Sequence, residues 1–380
     1  MAAPRPALTL GIEEEYLLVD AATRDLARRP PPAFMQRCEA AIGPRVAHEL
    51  LQSQVEVGTS VCTTVDQARA ELAGLRRTIA SCAEEFGLRM IAASTHPWAS
   101  WRDQEPVELE RYRIITQEHQ TLARRMVICG MHVHAGVEND DLRIDLMNQA
   151  TYFLPHLLAL STSSPFWEGQ DTGIKAFRPI IFGDLPRSGV PEGFESFSDW
   201  QETVAMLQET GLCEDATKIW WDLRPSARHP TLEMRICDVC TRLDHAITIA
   251  ALYQAILALL YHLRANNQTW RRYRRILVAE NKWRAQRYGV EGSLADFGQR
   301  ELKPVADLVE ELITLLHDHA RELGCLVHIE RAREIVRDGT SAENQLRVYH
   351  AAREAGADEH EAQMKVVDWL IEASLAGVPA

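Results

Sequence analysis

The chain has 380 residues, 46% hydrophobic and 25% charged, which is the make-up of a folded globular protein rather than a disordered, collagen-like or coiled-coil one. Its 54 acidic and 41 basic residues leave a net charge of −13, which repels phosphate backbones and argues against general nucleic-acid binding. The length suits either two domains of about 150 residues or one large α+β unit.

No run reaches the roughly 18 uncharged apolar residues of a membrane span, so no membrane partner is expected. Residues 1–10 hold one arginine and no apolar stretch, so no signal peptide is read there. Eight cysteines (Cys38, Cys62, Cys82, Cys129, Cys213, Cys237, Cys240 and Cys325) are scattered singly, as expected for reduced, mostly buried thiols in a cytoplasm. Only Cys237 and Cys240 have the spacing of a metal or redox pair, and no second pair completes a zinc site.

In chain order, short runs rich in Val, Ile, Thr or Trp predict strands at 8–20, 49–59, 89–94, 127–137, 218–224 and 231–238. Between them, apolar residues at steps of three and four predict helices. In 65–86 these are Val65, Ala68, Leu72, Leu75, Ile79, Cys82 and Phe86, with Thr64 placed to cap the start and Gly87 the end. Similar helices are read at 108–126, 141–163, 197–210 and 242–265. Further helices at 269–287, 303–323, 330–337, 341–355 and 358–376 make the C-terminal third, from about 242 to 380, almost wholly helical. Loops at 164–193 and 225–230 carry much of the Pro, Gly and Asp, and a loop of the first one's length is usually a lid or binding loop. The strands alternate polar with apolar residues, which suits an antiparallel or mixed sheet with one face open to a ligand. The chain therefore reads as a single catalytic domain, 1–380.

Four strand segments carry candidate chemistry. In Gly11-Ile12-Glu13-Glu14-Glu15-Tyr16, alternation puts Glu13 and Glu15 on one face and Ile12, Glu14 and Tyr16 on the other. Two carboxylates side by side repel unless a cation lies between them, and such oxygen ligands suit Mg2+ or Mn2+. In the second segment Gln52, Gln54 and Glu56 share a face, whereas Glu49 falls on the other unless a bulge or strand end intervenes. In Gly130-Met131-His132-Val133-His134-Ala135-Gly136 both imidazoles share a face, as metal ligands or as hydrogen-bonded core histidines. The flanking glycines imply close approach of a ligand or backbone. In the last pair of strands Glu233 shares a face with Arg235, and Asp222 with Arg224; Arg178 adds a cation from the long loop. An arginine beside an acid is either a structural ion pair or a fork for phosphate or carboxylate. The sequence has no phosphate-binding glycine loop and no nucleophile elbow, so a bound nucleotide would be held by metal ions and arginines.

Together, Leu10-Gly11-Ile12-Glu13-Glu14-Glu15, Gly130-Met131-His132-Val133-His134, Ser163-Ser164-Pro165-Phe166-Trp167, Asp171-Thr172-Gly173, Trp221-Asp222-Leu223-Arg224-Pro225-Ser226, Thr231-Leu232-Glu233-Met234-Arg235, Arg287-Tyr288-Gly289-Val290-Glu291-Gly292 and Asp338-Gly339-Thr340-Ser341 resemble the carboxylate-amine ligase family, glutamate–cysteine ligase type 2, through nearly the whole chain. That resemblance implies a fold like glutamine synthetase and the guanidino kinases: a saddle-shaped, mainly antiparallel sheet covered by helices, with the active site on its concave face. It implies an ATP- and Mg2+-dependent (or Mn2+-dependent) reaction that activates the γ-carboxylate of L-glutamate as an acyl phosphate for attack by the amine of L-cysteine or another amine. Carried over, Glu13, Glu15, Glu49, Glu56 and Glu233 would hold metal, and His132 would be a further ligand or phosphate contact. Arg235 would bind the transferring phosphate, and Arg178 and Arg224 would be substrate or phosphate contacts. Two alternatives keep the same residues: a metal-dependent hydrolase built on the His132/His134 and glutamate cluster, and a silent relative that only binds. The apolar stripe Val305, Leu308, Val309, Leu312, Leu315 and Leu316 is expected to cover the sheet or to form a homodimer contact.

Overall fold

In the computed structural model, which describes residues 4–379, seven strands form one antiparallel sheet: β1 (Leu10–Asp20), β2 (Val46–His48), β3 (Gln54–Gly58), β4 (Leu88–Ile91), β5 (Met131–Gly136), β6 (Leu223–Pro225) and β7 (Thr231–Met234). Their order is β6-β7-β5-β1-β3-β2, with β4 paired to the end of β1. The eleven-residue β1 can take three partners because each uses a different stretch: β5 pairs with Leu10–Glu14, β3 with Glu13–Leu17 and β4 with Leu17–Asp20. The α+β architecture with a mainly antiparallel sheet is the one expected.

Alternation along β1 sorts its side chains as the sequence implies. Leu10, Ile12, Glu14, Tyr16 and Leu18 are all within 1% of complete burial and face the helical layer. Glu14 among them is neutralised by Arg76 of the Val65–Glu85 helix, whose Nε and Nη2 donate to its two oxygens at 2.8 and 2.6 Å; the Tyr16 hydroxyl adds a third bond at 2.6 Å. Arg76 also donates to the carbonyls of Cys240, Thr241 and Ser374, so the sheet, a helix and the C-terminal segment are pinned at one guanidinium. Removing either charge would strand the other in a dry interior, at a cost of about 3–5 kcal/mol.

The helix Leu243–Ala265 lies under the sheet, with the Tyr253 hydroxyl donating to Leu232 O and Gln254 Nε2 to Leu8 O. By length and composition it could cross a membrane, which the count of uncharged residues did not anticipate; 83% of its most apolar window is buried inside the chain. The Val305–Glu322 helix packs against it, and five of the six stripe residues are buried there, Leu315 being the exposed one. That stripe is thus covered by this chain itself. Seven of the eight cysteines are buried and all are unpaired, Cys237 and Cys240 among them.

Other elements differ from expectation for local reasons. The 49–59 strand is a hairpin: β2 ends at His48, residues 49–53 turn, and β3 begins at Gln54. The 108–126 helix divides into Glu110–His119 and Thr121–Arg124 at Gln120, whose φ of 50° no helix continues through. The 141–163 helix is interrupted by a tight turn at Thr151–Phe153, because Pro155 has no N–H to extend the ladder. The 218–224 strand breaks at Asp222: Trp220–Trp221 pairs in parallel with Ser188–Gly189, while β6 joins the main sheet. The long loop holds the helix Arg178–Phe182 and a two-stranded ribbon, Phe166–Trp167 with Gln170–Asp171. A hairpin of Ser293–Asp296 and Glu301–Pro304 was not foreseen.

Candidate active site

The face of the sheet opposite the buried layer floors a cavity of about 310 Å3. Register explains its lining. Glu13 lies opposite His132, Glu15 opposite Glu56, and Glu233 between His134 and Arg224, so residues far apart in sequence fall in adjacent rows. All nine residues singled out from the sequence (Glu13, Glu15, Glu49, Glu56, His132, Arg178, Arg224, Glu233 and Arg235) line this cavity. Glu49 reaches it because it sits in the turn after β2, which removes the parity objection. Asp222 does not join Arg224: its carboxylate receives Lys282 Nζ at 2.7 and 2.9 Å.

The acids divide into two groups. At one end Glu15, Glu49 and Glu56 crowd together. Burial, then the Glu49 charge, pushes the Glu15 carboxyl up to about 8, and burial with the charges of Glu49, Glu13 and Glu15 raises Glu56 well above its usual range. Acids so crowded repel one another unless a proton or a cation lies between them. At the other end Glu13, His134 and Glu233 offer ligand atoms all within 4.8 Å of one another. Burial works against ionisation of Glu13 and Glu233, yet both are held low, Glu13 by hydrogen bonds with His132 and His134 and Glu233 by Arg235 and Arg224.

His132 stands between the groups. Its Nδ1 is 3.2 Å from both Glu13 Oε2 and Arg235 Nη1, while Nε2 is buried without a hydrogen-bond partner, 3.8 Å from Glu15 Oε1. Burial and the Arg235 charge bring its pKa down to about 4, so it is neutral near pH 7. The convergent trio contains His134, which the sequence offered with His132 as a metal ligand or a core histidine and to which the ligase resemblance gave no role.

The arginines differ in commitment. Arg224 grips Glu233 with Nε and Nη2 at 2.9 and 3.1 Å, and Arg235 Nη1 also bonds Glu233. Arg178 has no carboxylate within 4 Å among the described residues; its Nη1 donates to the carbonyls of Arg235 and Cys237. Gly130 makes this placement possible, since a Cβ there would lie 2.2 Å from Arg178 Nη2. Gly130 N–H in turn donates to Glu15 Oε2 at 2.6 Å.

A cap over the sheet supplies Arg111, Tyr112, Ile115, Met126, Phe182 and Trp220, none of which the sequence singled out. Arg125–Asp184 at 2.7 Å ties its two halves together, and His119 meets Trp220 edge-on at 5.5 Å. All but Trp220 come from helices and loops, where no period-two pattern marks a shared face; Trp220 lies on the short strand Trp220–Trp221, outside the main sheet.

Carboxylates and arginines gathered on one face of an antiparallel sheet, under a helical cap, place groups able to hold cations beside groups able to hold anionic oxygens. The chain matches the Glutamate-cysteine ligase family 2 (GCS2) over residues 9–365 and belongs to that family. A relative from Rhodospirillum rubrum, carrying the provisional name glutamate–cysteine ligase 2, is 54% identical over 379 residues, 99% of this chain and 97% of that one. Among solved structures, the glutamate–cysteine ligase of Francisella tularensis, in complex with AMP, superposes with a TM-score of 0.68 at 14% identity, covering 100% of this chain and 91% of that one. A bifunctional glutathione synthetase from Pasteurella multocida gives the same TM-score and identity over 96% of this chain, which spans about half (52%) of that longer protein. At this identity the two structures show a shared fold.

Proposed function

We propose that the protein is an ATP-dependent carboxylate–amine ligase, with L-glutamate and L-cysteine as the nominal pair. The observation that carries this reading is the convergence of five carboxylates and five arginines (Arg111, Arg178, Arg224, Arg228 and Arg235), from segments spread over residues 13–235, in one cavity of the sheet. Family membership and the name of the Rhodospirillum relative support it, as does the AMP bound to the Francisella enzyme.

The donor set fits divalent cations such as Mg2+ or Mn2+: oxygen-rich, mutually repelling and flanked by the orphaned Nε2 of His132. Glu15, Glu49 and Glu56 would hold one ion and Glu13, Glu233 and His134 another, with His132 between them, and ions so held neutralise charge on polyphosphate oxygens. Phosphoryl transfer asks little covalent chemistry of a protein, so the chain's own work is positioning and charge. Arg235, whose fork faces the cavity beside Glu233, binds the transferring phosphate. Arg224 keeps Glu233 ionised, and Arg178 supplies a cation to phosphate or substrate oxygens. The cap shields the acyl phosphate from water until the amine attacks, expelling phosphate.

The test is release of ADP from MgATP with glutamate present, each common amino acid or amine being added in turn. Stimulation by cysteine alone supports the nominal pair, and stimulation by another amine keeps the chemistry with a different acceptor. Failure to bind ATP would overturn the reading. A metal-dependent hydrolase would instead turn over its substrate without nucleotide.

A further inference from the structure

We infer that Asp238 is a positioning residue: through the Ser164 hydroxyl it fixes Arg178 against Gly130, so that an arginine without an acidic partner of its own presents its charge to the cavity. The inference rests on the ligase reading, in which Arg178 contacts phosphate.

Asp238 is fully buried beyond the end of β7 and outside the cavity lining. One of its oxygens, Oδ2, accepts both the Ser163 N–H at 2.8 Å and the Ser164 O–H at 2.7 Å. The Ser164 hydroxyl has one proton, and with that proton on Asp238 its lone pairs are left to accept the Arg178 N–H at 3.1 Å. The acid therefore sets the direction of a hydroxyl that holds the start of the Arg178–Phe182 helix. From there the side chain runs to the carbonyls of Arg235 and Cys237, in the segment that leads from β7 to Asp238.

An asparagine could accept the same two bonds, so hydrogen bonding alone does not call for an acid. The second oxygen, Oδ1, is buried with no partner, as is Nε of Arg178. Burial lifts the Asp238 carboxyl to about 6, with the Arg178 charge the largest opposing influence. Asp238 forms no ion pair with Arg178, yet the two charges act on each other, as those of Arg178 and Glu15 do; a buried carboxylate kept at a cost to stability is explained by the charge it provides to Arg178.

The experiment measures MgATP affinity by calorimetry, together with kcat and KM, for Asp238→Asn, Ser164→Ala, Arg178→Met and the two double variants that include Arg178→Met. Each of the first two is expected to weaken MgATP binding about tenfold, the loss of one oriented hydrogen bond or charge. Neither should weaken it further once Arg178 is methionine, because a residue that acts only through Arg178 has nothing left to position. Asp238→Asn should melt no lower than the parent; if it fails to fold, Ser164→Ala carries the test alone. Full-sized effects that persist in the Arg178→Met background would assign Asp238 to general structure and overturn the inference. So would normal affinity in both single variants, or in Arg178→Met itself. No MgATP binding by the unaltered protein would remove the ligase reading and the inference with it, an outcome distinct from the others.

Discussion

Glu15 of β1 and Glu56 of β3 are register partners on neighbouring strands, and both side chains enter the cavity. With Glu49 they form the crowded end of the site: burial, then the Glu49 charge, holds the Glu15 carboxyl at about 8, and burial with the charges of Glu49, Glu13 and Glu15 raises Glu56. At pH 7 the metal-free site holds at least one proton that Mg2+ must displace. Affinity for Mg2+ should thus rise with pH through neutrality by about tenfold per unit for each proton displaced. Calorimetry in buffers of different ionisation enthalpy reads the proton count directly; binding without proton release at pH 7 would contradict the arrangement.

Neighbouring acids on β1 should respond in opposite ways. Glu14→Gln leaves Arg76 charged in a fully buried setting and should cost about 3–5 kcal/mol in urea unfolding. Glu13→Gln keeps a side chain that can still hydrogen-bond with His132 and His134 at the cavity, and should change stability by less than about 1 kcal/mol while lowering ATP turnover at least about a hundredfold. Comparable stability losses in the two variants would mean that the faces are misassigned.

Arg235→Lys tests the fork. A lysine retains the charge but cannot meet Glu233 and a phosphate with the same planar pair of donors. Turnover should fall about a hundredfold with little change in melting temperature. Near-normal kinetics would reduce Arg235 to a structural partner of Glu233.

Gly130→Ala should act at a distance of one side chain. The new methyl would occupy the place of the Arg178 guanidinium, 2.2 Å from Nη2 and 2.6 Å from Cζ. We expect kcat/KM to drop about tenfold, with unchanged circular dichroism, and no further drop when Arg178 is already methionine. Full activity would show that the guanidinium can leave Gly130 freely.

What the sequence revealed follows the physics of strands. Period-two alternation separated Glu13 and Glu15 from Glu14, and placed His132 with His134, before any fold was known. The same rule misled at Glu49, because a turn at 49–53 resets parity and nothing in Glu49-Leu50-Leu51-Gln52-Ser53 marks it as a turn. Asp222 failed for a related reason, its strand being divided between two sheets. The preference for His134 in the convergent trio depends on where Glu233 meets β5, which is a matter of cross-strand register. Arg111, Tyr112 and Trp220 were hidden because they join the site through packing of the cap, and no local pattern records that.

The helix beneath the sheet has a consequence for how the protein is made. β1 leaves the ribosome more than two hundred residues ahead of Leu243–Ala265. Until it emerges, the part of the sheet's apolar underside not packed on the Val65–Glu85 helix lacks its cover, and the late helix itself, once synthesised, is as greasy as a membrane span until it docks. Assembly of this enzyme is therefore a race between a waiting surface and its late lid, and slow translation ahead of residue 243 would lengthen the interval in which chaperones must hold the chain.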